Sequence, residues 1–493
     1  MRLLLALAFL FPVLSAAQDQ HNHPAPEKLG TVSFQISCKS EVQAQFNRAV
    51  ALLHSFAYKA AEEAFQSVAE QDPHCAIAHW GIAMTHYHQL WEPPLPAAGI
   101  AVAQKEIAQA AMLPEASERE RGFVHALSLV FEDVSTVPYS TRASNYETAM
   151  RSLAAANPSD VETQVFYALA LISTASPSDK EHRKQKQAAD LLEPLWHEFP
   201  DHPGIPHYLI HACDSQELAS RGLAAAKAYA KIAPSAPHAL HMPSHIFTRL
   251  GMWDDSIASN LAAKTAAHQQ GDTGEELHAM DYLVYAYLQS GRDQEAAQVI
   301  QQLNAMQNLD LDDFKSGYAA TAMPIRFIVE RHQWNDAEKI VNPPGSALPQ
   351  VQAIAVWARG VGFARNGHAP EAQEESETLH HIEERLRASG NDYWATQVNI
   401  MRREVMAWSA QAEKKPDVAA AILRSAADDE DGTEKLPATP GPMIPAREQL
   451  GELLLQQGNF ASATKAFNTT LLNAPGRRGA LLGATQAHTL TEQ

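Results

Sequence analysis

The chain has 493 residues, 45% hydrophobic and 19% charged, which suits a soluble globular protein long enough for several domains or one extended repeat array. Lysine and arginine number 38 against 57 aspartates and glutamates, a formal charge of −19. A field of that sign argues against nucleic acid and anionic membrane surfaces as partners and favours cationic ones.

The chain opens MRLLLALAFLFPVLSAAQ, with one basic residue, an apolar run from Leu3 to Leu14 and small residues at Ser15, Ala16 and Ala17. This predicts a signal peptide over 1–17, cleaved near Ala17, and so a periplasmic or secreted protein. The apolar run falls short of the roughly 20 residues that span a bilayer, no later stretch qualifies, and no membrane insertion is expected. Residues 18–37 read as a flexible leader, in which His21 and His23 offer only adventitious copper or nickel ligands. Cys38 precedes a helical run and Cys75 follows its partner run, so an antiparallel hairpin places them side by side. A Cys38–Cys75 disulfide is expected, leaving Cys213 over; three buried free thiols are the alternative.

Next comes the string FAYKAAEEAFQSVAEQDP (56–73), which carries Ala61, Phe65 and Pro73 where the second helix of a tetratricopeptide repeat has a small residue, an aromatic and a stop. Turn-plus-helix strings recur at 250–260, 290–300, 331–341, 366–376 and 457–467, and no strand-like alternation competes with them. Together they predict an all-α protein, a right-handed superhelical solenoid of about eleven tetratricopeptide-like helix pairs. The solenoid is expected over 38–480, least regular at 115–200, with a C-terminal tail at 481–493. An acidic, proline-rich loop, 426–445, is too long for a repeat turn and is expected to lie across the groove as a lid or plug. His74, His79, His86 and His88, near Trp80 and Trp91, read as a packed aromatic corner.

Aligning the helices on turn positions Gly251 and Gly291 sets His241 opposite Asp281, His245 opposite Tyr285 and His238 opposite His278. One period of about 34 residues earlier, the same positions are His207 and His211. In the helix around Leu277 these polar positions lie off the apolar stripe, so they line the inner, concave face. An imidazole pair at i and i+4 can chelate one ion, and a second pair a repeat along can complete its shell. His207, His211, His241, His245 and Asp281 are therefore candidate ligands for a divalent metal, zinc or copper. His238, His278, Tyr285, Arg326, Asp214 and Glu448 are candidate groove residues that touch a ligand. Pro243, between His241 and His245, is expected to kink one chelating pair. The alternative is that these histidines only hydrogen-bond to neighbours or to a peptide. Glu448 belongs to a later repeat and reaches the site only if the superhelix curls back.

Several strings resemble a specific family, the secreted or periplasmic bacterial tetratricopeptide-repeat proteins. They are CKSEVQAQFNRAVALLHSFAYKAAEEAF (38–65), DPHCAIAHWGIAM (72–84), PHYLIHACD (206–214), APHALHMPSHIFTRLGMW (236–253), HAMDYLVYAYLQ (278–289) and ATPGPMIPAREQLGELLL (438–455). The resemblance spans nearly the whole chain after the leader and implies the fold, export and the importance of the histidine strings, but no reaction. That family reads Lys-His-Pro after the acidic loop, where this chain has Lys435-Leu436-Pro437.

Two functions compete. One is an exported scaffold that binds a peptide or protein segment in its concave groove, the common use of such repeats. The other is a metal-dependent enzyme built on the same His/Asp cluster, with His278, Asp281 or Glu448 as a further ligand or general base. No phosphate-binding glycine loop, Cys-x-x-Cys pair, His-Glu-x-x-His string or nucleophile elbow is present, which argues against familiar hydrolases and nucleotide enzymes.

Overall fold

The computed structural model describes residues 27–90 and 95–492. The expected signal peptide, His21, His23 and Trp91 lie outside the described residues.

The described elements are all helical and run as successive antiparallel pairs, each packed on the next, in the all-α right-handed solenoid that the repeats predict. The repeat turns fix this. Gly251, Gly291, Gly367 and Gly458 sit at φ +68°, +76°, +89° and +75°, and His332 and Phe56 hold the same left-handed position at +54° and +53°. Each therefore ends one helix and turns the chain back along it. Lys414, at φ +63°, begins a further turn that its sequence, Lys-Lys-Pro, disguises. The stretch 115–200 is regular: Ser117 and Glu120 close a capping box on the helix Glu118–Phe131, and Asp160 caps Val161–Ser173.

Two large apolar cores fill the two halves of the chain, one from Leu29 to Phe247 and one from Tyr318 to Ala487. A smaller core around Leu277, Val284 and Met323 joins them. The candidate histidines lie at that junction.

Three boundaries differ from expectation. The leader is not free over its last part, because Leu29, Val32 and Phe34 are buried. Phe34 exchanges hydrogen bonds with the first helix, donating its N–H to Asn47 Oδ1 (3.1 Å) and accepting from Gln43 Nε2 (2.8 Å). Apolar residues at alternate positions let this extended segment bury one face. At the other end, Arg478–Thr491 is a helix with Ala480 and Ala487 buried, so most of the expected tail is folded. The acidic loop is shorter than 426–445: the helix Pro416–Asp431 takes its first six residues, and the connection runs over 432–445. Tyr282 donates to the carbonyls of Pro437 (3.2 Å) and Thr439 (3.1 Å), and Arg326 to those of Pro442 (2.7 Å) and Gly441 (3.3 Å). The connection is thus a plug in the inner face.

Cys38 and Cys75 form a disulfide with their Cα atoms 4.9 Å apart, clamping the first hairpin. Cys213 is the free thiol; it is buried, which pushes its pKa up to about 12. Reduction, or Cys38→Ser with Cys75→Ser, is expected to cost about 3–4 kcal/mol on the loop-entropy account. Chemical denaturation with and without reductant reads this, and a loss below about 1 kcal/mol would contradict it.

Candidate metal centre

His207 and His211 lie on the helix Gly204–Ala212, one turn apart on its inner side, with Nε2 atoms 3.1 Å from each other. One repeat along, His241 and His245 make the same pair at 3.0 Å. Pro243 does split this helix, into Pro237–His241 and Pro243–Arg249, but the rings still meet. Met242 keeps helical dihedrals (φ −52°, ψ −37°) and donates its N–H to His238 O at 2.9 Å. The proline removes one hydrogen-bond donor without redirecting the helix.

The two pairs do not close one four-ligand shell as expected. Each instead takes a third imidazole from elsewhere: His207, His211 and His238 form one triad, and His241, His245 and His278 a second. Within each triad one nitrogen per ring lies within 4.8 Å of the others. The triads are neighbours, with ring centres 5.7 Å apart for His211 and His245 and 5.9 Å for His238 and His241. All six rings are at most 8% exposed. His238 and His278 thus stand with the ring pairs rather than as separate groove residues.

The outer nitrogens are held by acceptors. His207 Nδ1 meets the carbonyl of His54 at 2.5 Å, His238 Nδ1 meets Glu275 at 3.2 Å, and His245 Nδ1 meets Asp214 Oδ2 at 2.9 Å. His241 Nδ1 lies 2.6 Å from Asn260 Oδ1, and the Asn260 amide nitrogen donates to Ser256 O, which fixes which end of that amide faces the ring. Carbonyls and carboxylates only accept, so each of these four rings carries its proton on Nδ1 and points an Nε2 lone pair inward. Histidine metal ligands are oriented by just such partners.

For His241 and His245 both Nδ1 protons are committed in this way, yet their Nε2 lone pairs face each other at 3.0 Å. Two lone pairs in that position repel unless a cation lies between them. A proton would serve only by making an imidazolium. Burial opposes that, holding His241 well below the usual histidine pKa and lowering His245 even against the nearby Asp214. A metal with bonds of about 2.0–2.1 Å to tetrahedrally disposed nitrogens would set them roughly 3.3 Å apart, a few tenths of an ångström from what is found.

Around the rings the charges are matched. Burial pushes the Asp214 carboxyl up, but Lys435 at 3.0 Å and Arg249 at 2.8 Å outweigh it and keep it ionised. Lys315 at 2.6 Å does the same for Glu275. Asp214 is therefore an orienting partner of His245.

Other candidates sit elsewhere. Asp281 belongs to neither triad; its buried carboxylate makes no hydrogen bond among the described residues, lies 3.9 Å from Arg326 Nε, and is pushed by burial up to about 6. Arg326 stands over the Tyr285 ring at 5.0 Å and holds the plug, so neither side chain is a groove contact at the histidines. Glu448 is paired with Arg477 (2.6 and 3.1 Å), so no curl of the superhelix brings it to the rings. The early corner is a packing feature, with His79 on Glu106 at 2.7 Å and His88 stacked on Tyr58.

Sequence reasoning missed Asn260, Glu275, His54 and Tyr282, whose ring packs against His241, His245 and His278. Glu275 was the readable one, since it lies one turn before His278 on the same helix. Leu436, where the resembling family has histidine, lines a cavity of about 560 Å³ together with His211 and Pro437, at the edge of the centre.

No protein-family model and no curated protein matches the chain. Among solved structures it is similar to the tetratricopeptide-repeat domain of P58(IPK), 12% identical over 92% of this chain and 99% of that one, TM-score 0.24. Yeast Tom70 is 12% identical over 91% and 88% (TM-score 0.30), and human IFIT1, solved as a dimer with m7Gppp-AAAA, 9% over 85% and 90% (TM-score 0.36). The fold is a tetratricopeptide-like solenoid. At these scores nothing about ligands follows, and the architecture rests on the helix pairs themselves. No helix among the described residues is long and apolar enough to cross a membrane.

Proposed function

We propose that this chain is an exported metalloprotein that holds a transition metal, zinc or copper, on the imidazoles of the inner face of its solenoid. The observation that carries this reading is the His241–His245 pair, whose Nδ1 protons are committed to Asn260 and Asp214 while the Nε2 lone pairs face each other. An all-nitrogen, neutral ligand set suits zinc and copper rather than magnesium or calcium, which prefer oxygen. Export is supported by the expected signal peptide and by the Cys38–Cys75 disulfide, since such bonds persist in oxidising compartments. The part of the inner face nearest the rings is filled by the plug, so a peptide has no room there. A second reading, a scaffold that binds a peptide or protein segment, is favoured by the cavity of about 560 Å³ between the plug, Tyr139 and Asn391.

Elemental analysis of protein purified from the exported fraction tests the first reading. Zinc or copper is expected at one or more equivalents per chain and is expected to be lost in the His207→Ala, His241→Ala double variant. Equal, substoichiometric metal in both samples would sink it.

A further inference from the structure

The geometry of the two triads points beyond one ion to a particular chemistry. We infer that the centre is a pair of copper ions, each on three imidazoles, which binds dioxygen between them. This rests on the metal reading above and deepens it.

Three observations support it. First, the ligands divide evenly: His207, His211 and His238 on one side, His241, His245 and His278 on the other, each built from an i, i+4 pair and one imidazole from outside that pair. One ion cannot use six nitrogens spread over two such groups, whereas two ions use all of them. Second, a cavity of about 10 Å³, room for roughly one water-sized ligand, lies between the triads. Two imidazoles of each triad line it, His211 and His238 facing His245 and His278. Whatever occupies it therefore touches imidazoles of both triads. The remaining lining is Phe56, Leu90 and Pro437, whose side chains offer a ligand no hydrogen-bond donor. A small apolar molecule is the occupant such walls favour.

Third, the charge balance selects the metal and its resting state. All six ligands are neutral, and the carboxylates behind them are already matched, Asp214 by Lys435 and Arg249 and Glu275 by Lys315. Two divalent ions would place four uncompensated charges in a buried site, and the cost of burying charge rises steeply with its size. Two copper(I) ions place half as many. Imidazole suits copper as well as zinc, copper(II) heads the affinity order among divalent ions, and unlike zinc copper can change oxidation state.

In the reaction that follows, each copper(I) gives one electron to dioxygen. The dioxygen takes both, keeps its O–O bond and is held as peroxide between two copper(II) ions. No proton is consumed, and the reverse transfer releases dioxygen. The peroxide also supplies the bridging negative charge that the neutral ligand shell lacks. The small cavity adjoins the large one of about 560 Å³, since Leu90, His211 and Pro437 line both.

The test uses the whole exported chain, stripped of metal and reloaded with copper(I) without air. Two copper ions per chain are expected, and on admission of air an uptake of one dioxygen per two coppers. A near-ultraviolet absorption band should appear, with no copper(II) signal in electron paramagnetic resonance because the two spins couple. Zinc-loaded protein should show none of these changes. In His278→Ala, copper should fall from two to one per chain and dioxygen uptake should vanish, with the far-ultraviolet circular dichroism unchanged. Two bound coppers that take up no dioxygen, or that give the signal of separate copper(II) ions, would overturn this inference and leave the metal reading standing. A single copper per wild-type chain would do the same. Failure to bind copper or zinc at all would overturn both.

Discussion

Asp214→Ala is expected to weaken metal binding by about 10- to 100-fold and to destabilise the fold by about 3–5 kcal/mol. The first effect arises at His245, whose Nδ1–H donates to Asp214 Oδ2 at 2.9 Å. Without that acceptor the ring can shift its proton to Nε2 and turn its lone pair away from the centre. The second arises because Asp214 also accepts from Lys435 and Arg249, both of which would be left with less compensation in a buried place. Burial already lowers Lys435 to about 8, so part of the cost is avoided by its losing a proton. Arg249 cannot lose its proton, and it would keep only the backbone carbonyl of residue 214 at 2.7 Å and Glu434 at 3.3 Å. Asp214→Asn keeps an acceptor and should lose less of both. The two effects separate experimentally by competition with a chelator for affinity and by denaturant titration of the metal-free protein for stability. The acid dependence has a defined sign: the carboxyl is held well below its usual value, so its contribution is complete above about pH 4 and is lost only as pH falls through the lower folded value. An Asp214→Ala variant with unchanged metal affinity would remove it from the role of orienting partner.

Arg477→Ala should cost about 3–5 kcal/mol without touching metal content. Arg477 is fully buried, with Nε and Nη2 on Glu448 at 2.6 and 3.1 Å and Nη1 on Glu330 at 2.9 Å. Gln289 joins the cluster, donating to Glu330 at 3.0 Å and accepting from the Arg478 N–H at 3.0 Å. Removing the guanidinium strands two carboxylates among four helical segments that are distant in sequence. The melting temperature should fall while elemental analysis stays unchanged. If Arg477→Ala lost the metal as well, the C-terminal helices and the histidines would be one cooperative unit rather than two.

The solenoid was legible because its turns are chemically demanding. A left-handed residue at each turn favours glycine, and four of the turns that the sequence displays carry one. The turn at Lys414 was not legible, since lysine pays a conformational cost there that the surrounding packing absorbs. Within the site the two i, i+4 pairs were readable from a single helix, as their geometry depends on local periodicity alone. Of the third ligands, His238 was placed only in the groove and His278 only among three alternatives for a further ligand or general base, because which rings converge depends on how successive helix pairs cross. Asp281 shows the limit of register. It occupies the position of His207 and His241 one repeat further on, yet the packing of its helix sets it beside Arg326 instead. Glu448 fails for the same reason over a longer span. The buried strap at Leu29, Val32 and Phe34 was hidden by its polar surroundings, where a few alternating apolar residues carry little signal.

The plug at 432–445 also sets a competitive threshold for any outside molecule seeking the inner face. Because it belongs to the same chain, it is present there at an effective concentration of roughly millimolar. It is held by Arg326, by Tyr282 and by Lys435 on Asp214, with Lys180 anchoring Glu434 at 2.7 Å on the far side. A free peptide with the same contacts, supplied at micromolar concentration, would lose to it about a thousandfold on concentration alone. The chain is in this sense its own saturating inhibitor, and among the described residues the small cavity between the imidazoles shares Leu90 and Pro437 with the larger one beside the plug.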